Sequence, residues 1–392
     1  MEFNWDMNQL EIKKKYADLA VNHINENTLR NYEMNNFDFE AWKAISDEGI
    51  WKYPVPEEYG GYGNTWWEFA AALEGLASKS NDLGFLLSII AHIGCLRVLL
   101  IHGSESQKQK YLKLLMEGKI GATAITEATG GSDVARIQTS GVFQDDNILL
   151  NGHKTHITNA PIADIVVLVG RVPEIGEKDI TLFILENSQN GIRFGEKENM
   201  FGNRTSPTGD IFLTNMLISK EQVLGQMGDG LNTLYNMISL DRSLYGLISA
   251  AFMEPMLETA LEFANNRVAF KTPIANHQYI QKKLTDMKMN IEMSRWVSYA
   301  AIDRLIKGHE ESSLSCSIAK YIGTEALFET AQHLIQIHGH QGYMVGTFSK
   351  ILQDATGTRI AGGTSDIQRI NVFNQMQKLY KDKQLKEQVS FV

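Results

Sequence analysis

The run Ile120-Gly121-Ala122-Thr123-Ala124-Ile125-Thr126-Glu127-Ala128-Thr129-Gly130-Gly131-Ser132-Asp133 is where the chain changes character. Before it, apolar residues recur at helical spacing; after it, they come in short β-branched runs broken by Gly, Asn, Asp and Pro. Upstream, the pattern predicts helices over 10–24, 39–45, 66–76, 83–101 and 105–116. Ser104 reads as an N-cap, with Gln107 three residues on completing a capping box. Pro54, Pro56, Gly60, Gly61 and Gly63 mark one turn-rich loop. Downstream, strands are predicted at 122–126, 148–150, 164–170, 180–185 and 209–213. Beyond Gly228-Asp229-Gly230, helices return over 231–267, 274–306 and 313–337, with few breakers, as in a helical bundle. The fold class is therefore α+β: an N-terminal α-helical domain over 1–119, a middle β domain over 120–228 and a C-terminal helical domain over 229–392.

Composition narrows the function. Charged residues form 21% and hydrophobic residues 43% of the 392 positions, as in a packed globular protein. A net charge of −9 argues against nucleic-acid binding, which needs a basic face. Two cysteines, Cys95 and Cys316, lie in apolar stretches and read as buried thiols, with no metal site. The start, Met1-Glu2-Phe3-Asn4-Trp5-Asp6, lacks the basic and apolar regions of a secretory signal. The most apolar stretch, 84–103, has the length of a membrane span but carries His92, Arg97 and His102, which favours a core helix. A cytoplasmic protein without a membrane association is expected.

Seven ordered motifs carry a family resemblance. Pro56-Glu57-Glu58-Tyr59-Gly60-Gly61 is similar to P-E-E-Y-G-G, and 103–112 to G-T-E-E-Q-K-Q-K-Y-L. Thr126 to Asp133 is similar to T-E-P-G-A-G-S-D, and Asn151 to Asn159 to N-G-x-K-x-W-I-T-N. Arg267 to Phe270 followed by His277-Gln278, then Gln336 to Gly342, then Arg359 to Arg369, complete the series. Together they resemble the acyl-CoA dehydrogenase family, over essentially the whole chain. The resemblance implies a β-barrel-like middle domain, a C-terminal four-helix bundle and FAD as cofactor. It implies that Ile125, Thr126, Ser132, His156 and Thr158 border the flavin, with Ser132 also near the thioester. Arg267, Phe270, Gln278, Gln336 and Gly339 would serve the FAD, several of them across a subunit boundary, in a homodimer or homotetramer. Thr364 and Asp366 match positions near its adenosine half.

Physical chemistry gives these matches content. A Thr in a Gly-rich turn offers a hydroxyl and free N–H groups to a polar ring edge, although ordinary turn chemistry uses the same residues. The planar fork of Arg267 suits a pyrophosphate; a surface salt bridge is the commoner fate of a lone Arg.

The family's reaction needs a carboxylate base held in a dry site to remove the proton α to a thioester. Many members carry it as Glu in Y-E-G-T-S-E-I-Q-R, where this chain has Gly362. A branch typified by isovaleryl-CoA and long-chain dehydrogenases carries it instead on the first C-terminal helix, as E-R. Ser239-Leu240-Asp241-Arg242 stands at that place. Asp241 also falls in a helical stripe with Leu231, Leu234, Tyr235, Ile238, Tyr245 and Ile248, where a carboxylate is costly unless paired or functional. Asp241 is the expected base, with Arg242 in support and the Gly362 N–H as oxyanion donor. A structural Asp241 paired with a Lys or Arg of another helix is the alternative.

Departures from the family pattern are specific. Asp replaces Glu at the base, shortening its reach by roughly 1 Å. His156 replaces a Trp, Ala128 and Thr129 replace Pro and Gly, and Ser239 stands where some members contact pantetheine. The expected function is FAD-dependent α,β-dehydrogenation of an acyl thioester on CoA or on a carrier protein. Electrons would leave to an electron-transfer flavoprotein or to oxygen. The alternatives are a flavin oxidase or monooxygenase of the same fold, or a non-catalytic binding protein.

Overall fold

The computed structural model describes residues 4–389. They divide into two compact units, 4–241 and 242–389, the division falling inside one long helix.

In the first unit, helices α1 (Met7–Leu19), α2 (Thr28–Glu33), α3 (Phe39–Asp47), α4 (Trp66–Lys79), α5 (Leu83–His102), α6 (Glu105–Gln107) and α7 (Lys113–Met116) precede the sheet. Their starts are written in the sequence. Asp6 with Gln9, Thr65 with Glu68, and Ser104 with Gln107 each form a capping box. The helix predicted over 10–24 is tighter in its bounds: α1 stops at Leu19 and a π turn, Ala20–Ile24, follows. In the turn-rich loop, a Cβ on Gly61 would lie 2.0 Å from the Val55 carbonyl oxygen, so only glycine fits there.

The sheet has eight strands: β1 (Gly121–Ala124), β2 (Ser140–Gln144), β3 (Asn147–Thr158), β4 (Ile165–Arg171), β5 (Ile180–Glu186), β6 (Ile192–Phe194), β7 (Thr208–Ser219) and β8 (Val223–Leu224). They run in the order β6-β7-β3-β2-β4-β5-β8, with β1 parallel to β4. All but the last residue of β4 and of β5 are buried, so these strands are covered on both faces, which is why they read as continuous apolar runs. β3 spans twelve residues where the sequence showed three. Two irregularities in its pairing with β7, between Leu150 and Gly152 and between Lys154 and Ile157, reset the alternation and hide the strand.

α5 is long and apolar enough to cross a membrane, yet 83% of its most apolar window is buried inside the protein. It lies on the sheet: a Cβ on Gly121 would be 2.9 Å from the Cys95 Cβ. Its polar residues are placed. His92 Nδ1 accepts from the Gly121 N–H at 3.1 Å, and its ring lies 4.2 Å from that of Trp51. Burial pushes its pKa down to about 3, so it stays neutral.

Helix α8 (Gly230–Asn266) contributes residues 230–241 to this unit. The second unit holds its remainder, a short hairpin (Val268–Ala269 with Thr272–Pro273), α9 (Gln278–Ile306), α10 (Ser312–His338), α11 (His340–Tyr343), α12 (Thr347–Thr358) and α13 (Ser365–Val389). Small residues let α8, α9 and α10 close on one another. A Cβ on Gly246 would meet Ser298 Oγ at 2.4 Å and the Ala319 carbonyl oxygen at 2.7 Å. Cys95 and Cys316 are buried thiols, joined in no disulfide among the described residues. Tyr235, assigned by spacing to the inward stripe, is half exposed. From Arg242 to Ala250 every residue of α8 is buried, so the helix has no single apolar face there.

Candidate active site

Asp241 faces α5. A Cβ built on Gly94 would lie 2.8 Å from its Oδ2 and 3.2 Å from its Oδ1, and Oδ1 is out of contact with solvent. The carboxylate thus occupies space that a side chain at 94 would claim. On α5, one turn after Gly94, Arg97 is buried and donates Nη1 to the Met237 carbonyl at 3.2 Å, one turn before Asp241. That guanidinium ties the two helices together beside the carboxylate. Ser239 is buried, and its hydroxyl donates to the Tyr235 carbonyl at 2.7 Å, the usual back-bond of a helical Ser.

Ile125, Thr126, His156 and Thr158 converge at one end of the sheet. The Thr155 N–H donates to the Thr126 carbonyl at 2.9 Å, which lays the loop after β1 against the end of β3. Lys154, fully buried, fixes the same loop: its ammonium donates to the Ile125 carbonyl at 3.0 Å and to Glu127 at 2.7 Å. Glu127 also accepts from the N–H groups of Gln138 and Thr139, at 2.6 and 3.0 Å. Burial pulls the Lys154 pKa down to about 8, while its donors hold Glu127 below the usual carboxylate range. His156 takes a φ of 57° at the second β3 irregularity. Its exposed ring offers Nδ1 to both Glu198 oxygens, at 2.9 and 3.0 Å. Thr155, His156, Arg193, Glu198 and Phe212 line a groove of about 540 Å³. Ser132 lies exposed in the loop beyond Gly131.

In the second unit, Gly362 has a φ of 66°, and a Cβ there would be 2.6 Å from Tyr245 Cε2. No side chain of any kind fits that backbone without displacing the tyrosine. The Gly362 N–H donates to no protein group among the described residues. Gln368 is fully buried, and its Nε2 donates to the carbonyls of Gly362 and Gly363 at 3.2 and 3.0 Å. Thr364 caps α13 by accepting from the Ile367 N–H, and exposed Asp366 pairs with Arg369 at 2.9 Å.

Arg267 follows α8 and is exposed, and no ion pair engages it among the described residues. Phe270 is 92% exposed at the hairpin turn, with a φ of 53°. Gln278 opens α9, and Gln336 lies in the last turn of α10, which ends at His338 just before Gly339, whose φ is 57°. His338, at a variable position of that motif, packs its ring 4.3 Å from Phe263 and 4.4 Å from Phe348.

Family models for the N-terminal, middle and C-terminal domains of acyl-CoA dehydrogenase match residues 6–119, 122–216 and 228–377. The chain belongs to the acyl-CoA dehydrogenase family. It is 32% identical to an acyl-CoA dehydrogenase of Bacillus subtilis (strain 168), over 92% of this chain and 96% of that one. It is 30% identical to the mitochondrial isovaleryl-CoA dehydrogenase of Solanum tuberosum, over 95% and 92%. Its structure is similar to that of the prolyl acyl carrier protein oxidase AnaB, with a TM-score of 0.92, 29% identity and coverage of 95% and 100%. This acyl-CoA dehydrogenase family member is an FAD-dependent oxidoreductase that acts on acyl thioesters.

The residues present fit the cofactor. Thr155 Oγ1, beside His156, is buried without a hydrogen-bond partner among the described residues, and so is Gln368 Oε1, beside the Gly362 turn. Buried polar atoms left unmatched are rare in native proteins, and both can bond a polar cofactor. The exposed Arg267 guanidinium, with no ion pair among the described residues, supplies the donors that a pyrophosphate needs. Sequence reasoning passed over Gly94, the Lys154–Glu127 pair and Gln368. Charge inside an apolar pattern could have flagged Lys154; nothing local could have flagged Gly94.

Proposed function

We propose that Asp241 removes the α-proton of an acyl thioester, in an α,β-dehydrogenation that leaves a trans-type C=C bond conjugated to the carbonyl. The proton passes to the Asp241 carboxylate, and the electron pair of the β C–H bond leaves as hydride. FAD, when bound, supplies the hydride acceptor. The observation that carries this reading is the aim of Asp241: its carboxylate is turned inward against Gly94, with one oxygen hidden from water. Tyr245 at the Gly362 position supports it, because the family's other base position has no room for a side chain. Arg242, buried and directly following Asp241, supports the helix at that point. The Gly362 N–H, with no protein acceptor among the described residues, is the donor to the thioester oxygen as the enolate develops. Ile125, Thr126, Ser132, His156 and Thr158 border the flavin, Ser132 and Ser239 lie along the substrate, and Arg267, Phe270, Gln278, Gln336, Gly339, Thr364 and Asp366 hold the rest of the cofactor.

The acyl group is carried by CoA or by a carrier protein; the likeness to a prolyl acyl carrier protein oxidase gives the second carrier its weight. Electrons pass to an electron-transfer flavoprotein or to oxygen, in a cytoplasmic homodimer or homotetramer. Oxidase chemistry is a second reading, favoured by the exposed His156–Glu198 pair where the family pattern has an aromatic ring. Fast reoxidation of the reduced protein by oxygen in stopped flow would select it.

Anaerobic bleaching of the flavin by a panel of acyl-CoA and acyl-carrier-protein thioesters tests the base. Asp241→Ala is expected to bind FAD and to be reduced slower by about 10²–10⁴-fold, the usual worth of a general base. Equal reduction of both proteins would remove Asp241 from the chemistry.

A further inference from the structure

Lys320, in the middle of α10, is fully buried. Removing an ammonium group from water costs several kcal/mol unless the surroundings repay it. Here its one hydrogen-bond partner among the described residues is the Arg359 carbonyl, at 2.9 Å. The same carbonyl accepts from the Ser365 N–H at 3.1 Å. A single oxygen therefore joins the two ends of the loop 359–365, and Gly362 stands at its centre.

A second residue of α10 grips the same two ends. Glu325 accepts from Arg359 Nε at 2.8 Å and from the Ser365 hydroxyl in a short hydrogen bond. Those donors, with the Arg359 charge, hold the Glu325 carboxyl below its usual range. Inside the loop, Gln368 holds the carbonyls of Gly362 and Gly363, and Tyr245 backs the Gly362 Cα. Two consecutive glycines with φ of 66° and 90° could adopt many other conformations, and these contacts select one.

We propose that Lys320 and Glu325 are positioning residues for the reaction: by tying both ends of the loop 359–365 to α10 they fix the direction of the Gly362 N–H. The inference rests on the reading of that N–H as the donor to the thioester oxygen. Neither side chain touches the substrate; each acts through the loop. Lys320 suits the task because its amino group is fully buried, so water has little access to compete for the Arg359 carbonyl it holds. Arg242 and Arg359 are the like charges that face it, and Glu325 the opposite one.

The test reads carbonyl polarisation directly. A 3-(2-furyl)acryloyl thioester, on CoA and on the carrier protein, absorbs at longer wavelength when a donor draws charge onto its carbonyl oxygen. In the FAD-loaded protein, Lys320→Met is expected to lose at least half of the wild-type red shift. Its kcat should fall by about 10- to 100-fold, the range for an ångström-scale misplacement, with KM and the FAD Kd each within about 2-fold. Glu325→Ala, at a site 28% exposed and more tolerant of change, should move the shift and kcat in the same direction, and decides the matter if Lys320→Met is not recovered folded. A full red shift and unchanged kcat in the recovered variants would overturn the clamp while leaving Gly362 in its role. A wild type that shifts neither thioester would instead remove the Gly362 donor, and the clamp with it. Asp241→Ala, which should keep the red shift and lose turnover, separates both outcomes from a failure of the base.

Discussion

At the residue scale, two glycines, one in each unit, leave space that a neighbouring side chain fills. Gly94 leaves room for the Asp241 carboxylate, and Gly362 leaves room for Tyr245. The shorter acid at 241 is explained by the first contact: a carboxylate already against the α5 backbone gains nothing from another methylene. Gly94→Ala would put a methyl group 2.8 Å from Oδ2, closer than real Cβ contacts run, so the acid must swing aside. The expected result is a loss of roughly 10- to 100-fold in the rate of flavin bleaching with FAD affinity unchanged. A variant as fast as wild type would show that Asp241 does not act from this position. Gly362→Glu, which restores the commoner family residue, meets both a left-handed backbone and the Tyr245 ring. It is expected to lower the melting temperature and not to rescue Asp241→Ala in the same bleaching assay.

At the element scale, the loop after β1 is held to β3 by a buried ion pair rather than by regular strand pairing. Lys154 and Glu127 are both almost completely buried, and each has hydrogen-bond partners beyond the other. Removing one member of such a pair leaves an uncompensated charge, which typically costs about 3–5 kcal/mol. Lys154→Met should lose stability of that order in urea denaturation. It should also speed hydrogen exchange at the Thr155 N–H, the bond that lays the loop on the strand. Unchanged exchange would mean that the loop is held by something else. The element scale is also where sequence reading was uneven. The capping box at Ser104 and Gln107 gave the start of α6 because its signal is local, a side chain bonding a backbone three residues away. β3 was seen as three residues of twelve because its irregularities break the period of two on which strand recognition depends.

At the scale of the whole molecule, buried lysines tie stability to pH. Burial, with help from Arg242 and Arg359, brings the Lys320 pKa from 10.5 to about 7. Below about pH 7 the residue is charged in the folded and unfolded chains alike, and the full burial penalty is present. As pH rises from 7 towards 10.5 the folded chain releases the proton while the unfolded chain keeps it, so stability grows, by about 1.4 kcal/mol per unit crossed at most. Lys320→Met lacks this dependence. Its stability relative to wild type should therefore be greater at pH 6 than at pH 9, measured as the difference in urea midpoints. The opposite ordering would show that Lys320 is not forced towards its neutral form. The order of helix, strand and helix blocks, the family and the cofactor were legible in the chain, because periodicity, caps and contiguous motifs are properties of neighbouring residues. What faces Asp241, what fills the space at Gly362, and which buried lysine ties down which loop were decided only by tertiary packing. Residues 94 and 241, or 320 and 359, are far apart in the chain, and no local pattern records that they meet.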